Sequence, residues 1–223
     1  VGTRMDELVD ARQGLATADN NRFLRLWYEV GNTNISFHSD SIPDSVESQK
    51  MWFPCNKGGA YRKWFGNYDY VINWKNDGNE IKNFNWPNGK QRSVVRNPSY
   101  YFREAITWSD ITSGSFSLRY REPGSIHDHK GMSAFSKDHE LLIMVLAILN
   151  TPVGDHIFKI LNPTVSLEVG NFKSFPVIKN KTIEDKSFNI SRKLVQYCKE
   201  DWDTFETSWD FTTHPLLTHI ADD

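Results

Sequence analysis

Short apolar and aromatic runs separated by Gly, Pro and Asn dominate the first 121 residues. The runs lie at residues 51–55, 68–75, 100–109 and 115–121. β-branched and aromatic residues favour strands, whereas Gly, Pro and Asn favour the turns between them. Residues 23–28 alternate in part between apolar and polar positions and predict a further strand. The polar stretch 38–50 is predicted to be a loop.

Helical spacing replaces this pattern after Gly131. Ser136 is predicted to cap a helix over residues 137–149. Thr151-Pro152 then restarts a helix, since Pro is tolerated at the first helical position, and this second helix runs to about Leu161. With only a two-residue break, the pair should form a helical hairpin packed on the sheet. The residues expected in its core are Leu141, Leu142, Val145, Leu149, Ile157 and Ile160.

The last third combines one predicted strand with a long helix. Residues 165–169 alternate and predict a strand. The capping-box pattern at residues 182–185 predicts a helix of about 20 residues. The acidic tail beyond it carries four spaced rings expected to dock on the fold: Trp202, Phe205, Trp209 and Phe211.

These elements together predict an α+β fold: a twisted, mostly antiparallel sheet with a helical hairpin and a C-terminal helical extension. We expect a linker stub at residues 1–11, a main domain at 12–180 and the helical extension at 181–223. The chain begins with Val1 rather than Met, which suggests a piece of a longer protein.

Composition excludes several classes of protein. The longest apolar run is nine residues, 141–149, and a bilayer span needs about 20, so no membrane helix is expected. Residues 1–10 have no apolar signal-peptide core. Two cysteines, Cys55 and Cys198, support neither a disulfide framework nor a structural zinc site, and a cytoplasmic location is expected.

The net charge of −2 conceals an asymmetry along the chain. Residues 1–54 carry a net −3, residues 55–121 a net +6 and residues 122–223 a net −5. The basic middle third also holds 14 of the 30 aromatic residues. Cations interleaved with rings suit a nucleic-acid surface, but a ring-rich β core with solvated Lys and Arg outside fits equally well. The sequence pI of about 6.4 argues against a free-standing DNA binder.

Catalytic signatures are weak. The tetrapeptide at residues 97–100 (NPSY) resembles the N-P-P-Y/F motif of amino-methyltransferases, but it lacks the second Pro, a preceding strand and an upstream Gly-rich cofactor loop. The histidines His127, His129 and His139 fit either metal ligands or exposed turns, and exposed turns are favoured. We therefore expect no catalytic residue, no metal site and no cofactor within this chain.

The most informative local stretch is residues 57–66, where Lys57-Gly58-Gly59 precedes three rings and two further cations. Two adjacent glycines let a backbone approach a ligand closely. A hairpin turn with solubilising charges explains the same residues.

Six segments carry a resemblance that covers nearly the whole chain from Arg12 onward. They are RQGLATADNNRF (12–23), KGGxxRKWxGN (57–67), VINWxxDG (71–78), YYFRExITWS (100–109), ILNPT (160–164) and DWDxFExSWDF (201–211). In these segments the chain resembles the C-terminal part of PglX-type adenine-specific DNA methyltransferases of bacteriophage-exclusion (BREX) phage-defence systems. Proteins of this type are much longer than 223 residues.

The resemblance implies a DNA target-recognition domain of the TaqI-like kind, similar more distantly to type I specificity subunits. A curved sheet with its loops would grip the duplex, and the helical pair with residues 172–178 would support it. S-adenosylmethionine and methyl transfer would belong to a catalytic domain elsewhere in the parent chain. The implied partners are double-stranded DNA, that methyltransferase domain and other phage-defence subunits.

Twelve residues are the predicted DNA contacts. Five cations on turns are assigned to phosphates, namely Lys57, Arg62, Lys63, Arg92 and Arg96. Five side chains are assigned to base edges, namely Arg103, Arg119, Arg121, Asn67 and Asn73. Gly58 and Gly59 would bring backbone close to the DNA. The alternative function is a non-enzymatic carbohydrate- or protein-binding β module, whose binding would depend little on salt.

Overall fold

The computed structural model describes residues 2–111, 115–162, 164, 166–178 and 181–219, with side chains 181–185 and 218–219 left out. The strands are β1 Thr3–Arg4, β2 Asp10–Arg12, β3 Leu24–Leu26, β4 Trp52–Asn56, β5 Tyr70–Asn73, β6 Ala105–Ser109, β7 Arg119–Arg121, β8 Ile126–His127, β9 Gly131–Phe135 and β10 Pro176–Val177. The α-helices are α1 Asn20–Phe23, α2 Ile42–Glu47, α3 Lys75–Lys82, α4 His139–Leu149, α5 Pro152–Leu161, α6 Val169–Lys173 and α7 Lys181–Asp203.

The predicted α+β class is confirmed, but the strands form three sheets instead of one. An antiparallel sheet has the order β2-β9-β6-β7, and a second has the order β3-β5-β4-β8. Only β4 and β8 in the second sheet run parallel. β1 and β10 form a two-stranded sheet of their own. Because β8 and β9 are separated by three residues, the turn at residues 128–130 joins the two large sheets.

Each large sheet has its own hydrophobic core. Helices α4, α5 and α6 cover the first sheet, where Trp108 of β6 stacks on Phe172 of α6 at 4.3 Å between ring centroids. The second core lies around Phe53, Trp74 and Phe102. Burial of such large apolar side chains is the main stabilising contribution of both layers.

Residues 3–12 are part of the fold, where the sequence analysis expects a stub. β2 pairs with β9, and β1 pairs with β10. Met5, Val9 and Ala11 are buried in the first core. β1 and β2 are only two and three residues long, and their partners lie far along the chain. They therefore show little alternation of apolar and polar residues, which is why the sequence predicts a linker there.

Three smaller expectations also need correction. The stretch predicted as a loop contains α2, which Ser41 caps and in which Pro43 occupies the first turn. Asp138, rather than Ser136, caps α4. Within residues 165–169, whose first residue lies outside the described part of the chain, α6 already begins at Val169.

The predicted helix pair is present, with Thr151 capping α5, but α4 and α5 are bent by 78° relative to each other. Leu142, Val145 and Leu149 are buried as expected. Ile160 is exposed because it lies on the opposite side of α5 from the buried Phe158. No single described helix is long and apolar enough to cross a bilayer; α4 and α5 reach that length and composition only as a bent pair.

The long C-terminal helix packs against α4. Near the C-terminal end of this helix, Trp202 packs in a small core with Phe65 and Tyr68. Trp209 contacts the Tyr68 ring in an edge-on geometry. Docking of the tail rings is therefore confirmed for Trp202 and Trp209, while Phe205 is half exposed. The division at residue 180 stays a prediction.

Candidate nucleic-acid interface

Residues 57–67, which we call the inward loop, are held mainly by contacts with the rest of the protein, and only residues 59–61 among them are exposed. Gly58 and Gly59 have φ angles of +81° and +140°. A Cβ atom on Gly58 would lie 2.9 Å from the carbonyl oxygen of Lys130. The amide of Gly59 donates to Oγ of Ser109 at 3.1 Å, and that hydroxyl donates to the Gly59 carbonyl at 2.9 Å. The glycine pair therefore meets its own chain, where the sequence analysis expects a ligand.

The cations of the inward loop have internal partners. Nζ of Lys63 donates to the carbonyl oxygen of Asn150 at the end of α4, at 2.7 Å. The Arg62 guanidinium lies 4.8 Å from the centroid of the Trp202 ring and 3.8 Å from Asp201. Nζ of Lys57 lies 4.8 Å from the Tyr70 ring centroid. Arg62 and Lys63 thus fasten the loop to α7 and α4.

Arg119 and Arg121 are 2% and 1% exposed and are not available to DNA, which corrects their assignment to base edges. Arg121 donates to Oγ of Ser125 at 2.8 Å and to the carbonyl of Asn67 at 3.2 Å, and its guanidinium lies 3.7 Å from the Tyr68 ring centroid. Arg119 donates to the Arg62 carbonyl at 3.3 Å. Loss of hydration lowers the pKa of Arg119 to about 10, so it stays protonated at neutral pH.

The two predicted asparagines are also buried and satisfied internally. Nδ2 of Asn67 donates to the Ala60 carbonyl at 2.9 Å. Nδ2 of Asn73 donates to a carboxylate oxygen of Glu80 at 2.8 Å. Both amides hold turns in place, so neither is positioned to read a base.

The remaining predicted cations, Arg92, Arg96 and Arg103, lie on one segment that faces outward. We call residues 82–103 the basic arm. It carries five cations and no carboxylate in a chain whose net charge is −2. Lys82 pairs with Asp77 at 2.6 Å. In the part of the chain that the structure describes, no ion pair involves the other four, Lys90, Arg92, Arg96 and Arg103.

A protruding hairpin forms the first half of the basic arm. The amide of Arg92 donates to the Phe84 carbonyl and that of Trp86 to the Lys90 carbonyl, each at 2.8 Å. Residues 85–91 are all exposed, and Gly89 adopts the positive φ of the tight turn. Trp86 is 49% exposed. The Arg92 guanidinium contacts both rings of the hairpin, at 4.8 Å from the Phe84 centroid and 4.3 Å from that of Trp86.

Tyr100 organises the second half of the basic arm. The guanidinium groups of Arg12 and Arg103 lie 5.2 and 5.4 Å from the centroid of its ring. The Tyr100 hydroxyl donates to Asp10 at 3.1 Å, and Arg12 contacts the same carboxylate at 3.0 Å. This cluster holds Arg103 at the surface beside a rigid ring.

Backbone contacts fix the basic arm to the start of the chain. Ala16 and Val94 exchange two amide hydrogen bonds, at 2.8 and 2.9 Å. Nδ2 of Asn97 donates to the Gln13 carbonyl at 2.9 Å. The NPSY tetrapeptide is therefore a turn that holds the basic arm against residue 13, because its Asn side chain is hydrogen-bonded within the chain.

The three histidines are separated in the structure. His127 is 2% exposed and bonded to Ser133, and burial lowers its pKa to about 3. His129 lies 3.2 Å from Asp128, and His139 lies 2.9 Å from Glu104. Among the described residues no group of three potential metal ligands comes together.

Four residues of the outward surface are absent from the predicted contacts: Arg12, Trp86, Lys90 and Tyr100. The absence of Asp and Glu over residues 82–103 is countable in the sequence and identifies the arm. The net charge of residues 55–121 does not reveal this segment, because the five carboxylates of that range all lie outside residues 82–103.

Two comparisons bear on what this chain is part of. It is 43% identical over 220 residues, 98% of its length, to the adenine-specific methyltransferase PglX of Lacticaseibacillus casei (strain Zhang). It is 35% identical over 199 residues, 88% of its length, to the adenine-specific methyltransferase BrxX of Escherichia coli O9:H4 (strain HS). The chain spans only 18% and 15% of these relatives. No protein-family model matches it.

Proposed function

From this homology to segments of two adenine-specific methyltransferases, we propose that the chain is a DNA target-recognition part of such an enzyme in a BREX phage-defence system. Its ligand is double-stranded DNA in the cytoplasm, and its partners are the methyltransferase domain of the parent and other phage-defence subunits. Binding of S-adenosylmethionine and methyl transfer belong to that other domain.

The basic arm is the observation that supports this proposal most. Within the described residues, four cations without ion pairs lie along one segment, next to the half-exposed ring of Trp86 and the partly buried ring of Tyr100. DNA phosphates attract such a row of charges, and release of their counterions makes the binding strong at low salt. Lys and Arg beside phosphates set orientation, while Arg and neighbouring polar groups reach base edges.

Rigidity of the basic arm also suits recognition. Ring contacts hold Arg92 and Arg103, and hydrogen bonds to residues 13 and 16 fix the arm itself. Side chains fixed before binding lose less conformational entropy when they meet the duplex. In the inward loop, by contrast, Arg62 and Lys63 already have partners within the chain.

Charge reversal at two exposed positions tests the proposal. Lys90→Glu with Arg103→Glu should weaken binding to every duplex by about tenfold or more and flatten the slope of log affinity against log salt by about two. The matched control is Arg192→Glu with Lys193→Glu, two exposed cations of α7. Fluorescence anisotropy over a salt series measures both. Equal losses in the two pairs, or no loss from the first, would contradict the proposal.

A further inference from the structure

The hairpin of the basic arm carries an aromatic surface that packing within the chain does not explain. Trp86 sits one residue before the turn and keeps 49% of its surface exposed. Tryptophan is highly buried on average in folded proteins. By comparison, Trp74 and Phe102 of the second core are completely buried.

Trp86 is nonetheless held in place. Arg92 lies 4.3 Å from its ring centroid and also contacts Phe84, and Arg22 contacts Phe84 from 4.9 Å. Cations and rings therefore alternate along the surface from Arg22 through Phe84 and Arg92 to Trp86, the more exposed of the two rings. A ring fixed in this way presents an apolar surface at low entropic cost.

We infer that Trp86 stacks on a nucleobase that has left the helical stack of the DNA. This inference rests on the proposed function and deepens it by naming the contact. Stacking of a base on an aromatic side chain is favourable for any base, because every base has a π-face. Lys90 and Arg92 lie on the same hairpin, where they neutralise the phosphates flanking the displaced base.

The surroundings of Trp86 favour a base over other apolar ligands. No carboxylate lies on the basic arm, so nothing on it repels a polyanion. An enzyme that modifies a base inside a duplex must first extrude that base. The extruded base enters the catalytic domain of the parent, so the base proposed for Trp86 is the partner base that extrusion leaves unpaired.

The test compares two duplexes of one sequence, one fully paired and one in which a single base faces an abasic site. The wild-type chain should prefer the second by about tenfold. Trp86→Ala should abolish the preference and leave the salt slope unchanged, whereas Trp86→Phe should retain part of it. Phe205→Ala, which removes a ring 50% exposed in the tail, is the matched control.

A second readout follows the base itself. With 2-aminopurine at the unpaired position, wild-type protein should quench its fluorescence by stacking, and Trp86→Ala should not. A wild-type chain without preference for the unpaired duplex overturns the inference. So does an equal loss on both duplexes in Trp86→Ala.

The same titrations separate this inference from the proposed function. If paired DNA binds with a salt slope that depends on Lys90 and Arg103, while Trp86→Ala changes nothing, only the stacking contact fails. If neither duplex binds at any salt concentration, both fail.

Discussion

The inward loop and the basic arm have nearly the same chemistry and opposite positions in the structure. Each combines several cations with several rings and glycine turns. α7 and the end of α4 cover the inward loop, so Arg62 rests on the buried ring of Trp202. In the basic arm, Arg92 rests on a ring that is half exposed, Trp86. Composition identifies segments rich in cations and rings. Contacts with residues far along the chain determine which of these segments faces solvent.

The largest difference should appear when each of these two rings is removed. Trp202→Ala deletes a side chain 5% exposed, leaving a cavity against Phe65 and Tyr68, and should lower the free energy of unfolding by about 3–5 kcal/mol. Trp86→Ala should cost less than about 1 kcal/mol, because its ring is half solvated. Urea denaturation measures both. Similar losses of unfolding free energy in Trp202→Ala and Trp86→Ala would contradict the difference in burial between the two rings.

Neutralising the paired cations of the inward loop should have an intermediate effect, on stability alone. Arg62→Gln with Lys63→Gln removes the bond to Asn150 and the contact with Asp201. We expect a loss of about 1 kcal/mol in unfolding free energy. The slope of DNA affinity against salt should stay that of the wild type. If the slope of log affinity against log salt became flatter by about two, the inward loop would be the DNA-binding surface instead.

The smallest predicted effect is a pH dependence at the turn that supports Gly58. Asp128 raises the pKa of His129 in the folded protein. A raised pKa stabilises the fold when the histidine is charged, below its unfolded pKa of about 6.5, and the gain disappears as pH rises through the folded pKa. His129→Gln should therefore lower the melting temperature slightly at about pH 5.5 and leave it unchanged at about pH 8.5. A larger drop at the alkaline end would contradict the ion pair.

Local patterns predicted much of the fold. The aromatic and β-branched runs locate β4, β5, β6 and β7, although the runs 100–109 and 115–121 start five and four residues before β6 and β7. Thr151-Pro152 marks the start of α5. Periodicity and capping are properties of a few neighbouring residues, so they can be read without the rest of the chain. β1 and β2 are too short to carry such a pattern and depend on distant partners.

The candidate site was less predictable, for a physical reason that β7 shows. Arg119 and Arg121 alternate with Tyr120, so both point to one face of the strand. Sequence reasoning places that face in solvent, because buried arginines are rare. Here the face is interior. Arg119 donates to the Arg62 carbonyl, and Arg121 donates to Ser125 and to the Asn67 carbonyl beside the Tyr68 ring, which leaves Nη2 of Arg121 without a partner among the described residues.

Lysine footprinting tests the central claim most directly, that the basic arm rather than the inward loop meets DNA. The chain is acetylated briefly at low salt with and without duplex DNA, and mass spectrometry gives the reactivity of each lysine. DNA should protect Lys90 and leave Lys57 and the exposed Lys193 of α7 unchanged. Protection of Lys57 with no change at Lys90 would contradict the account.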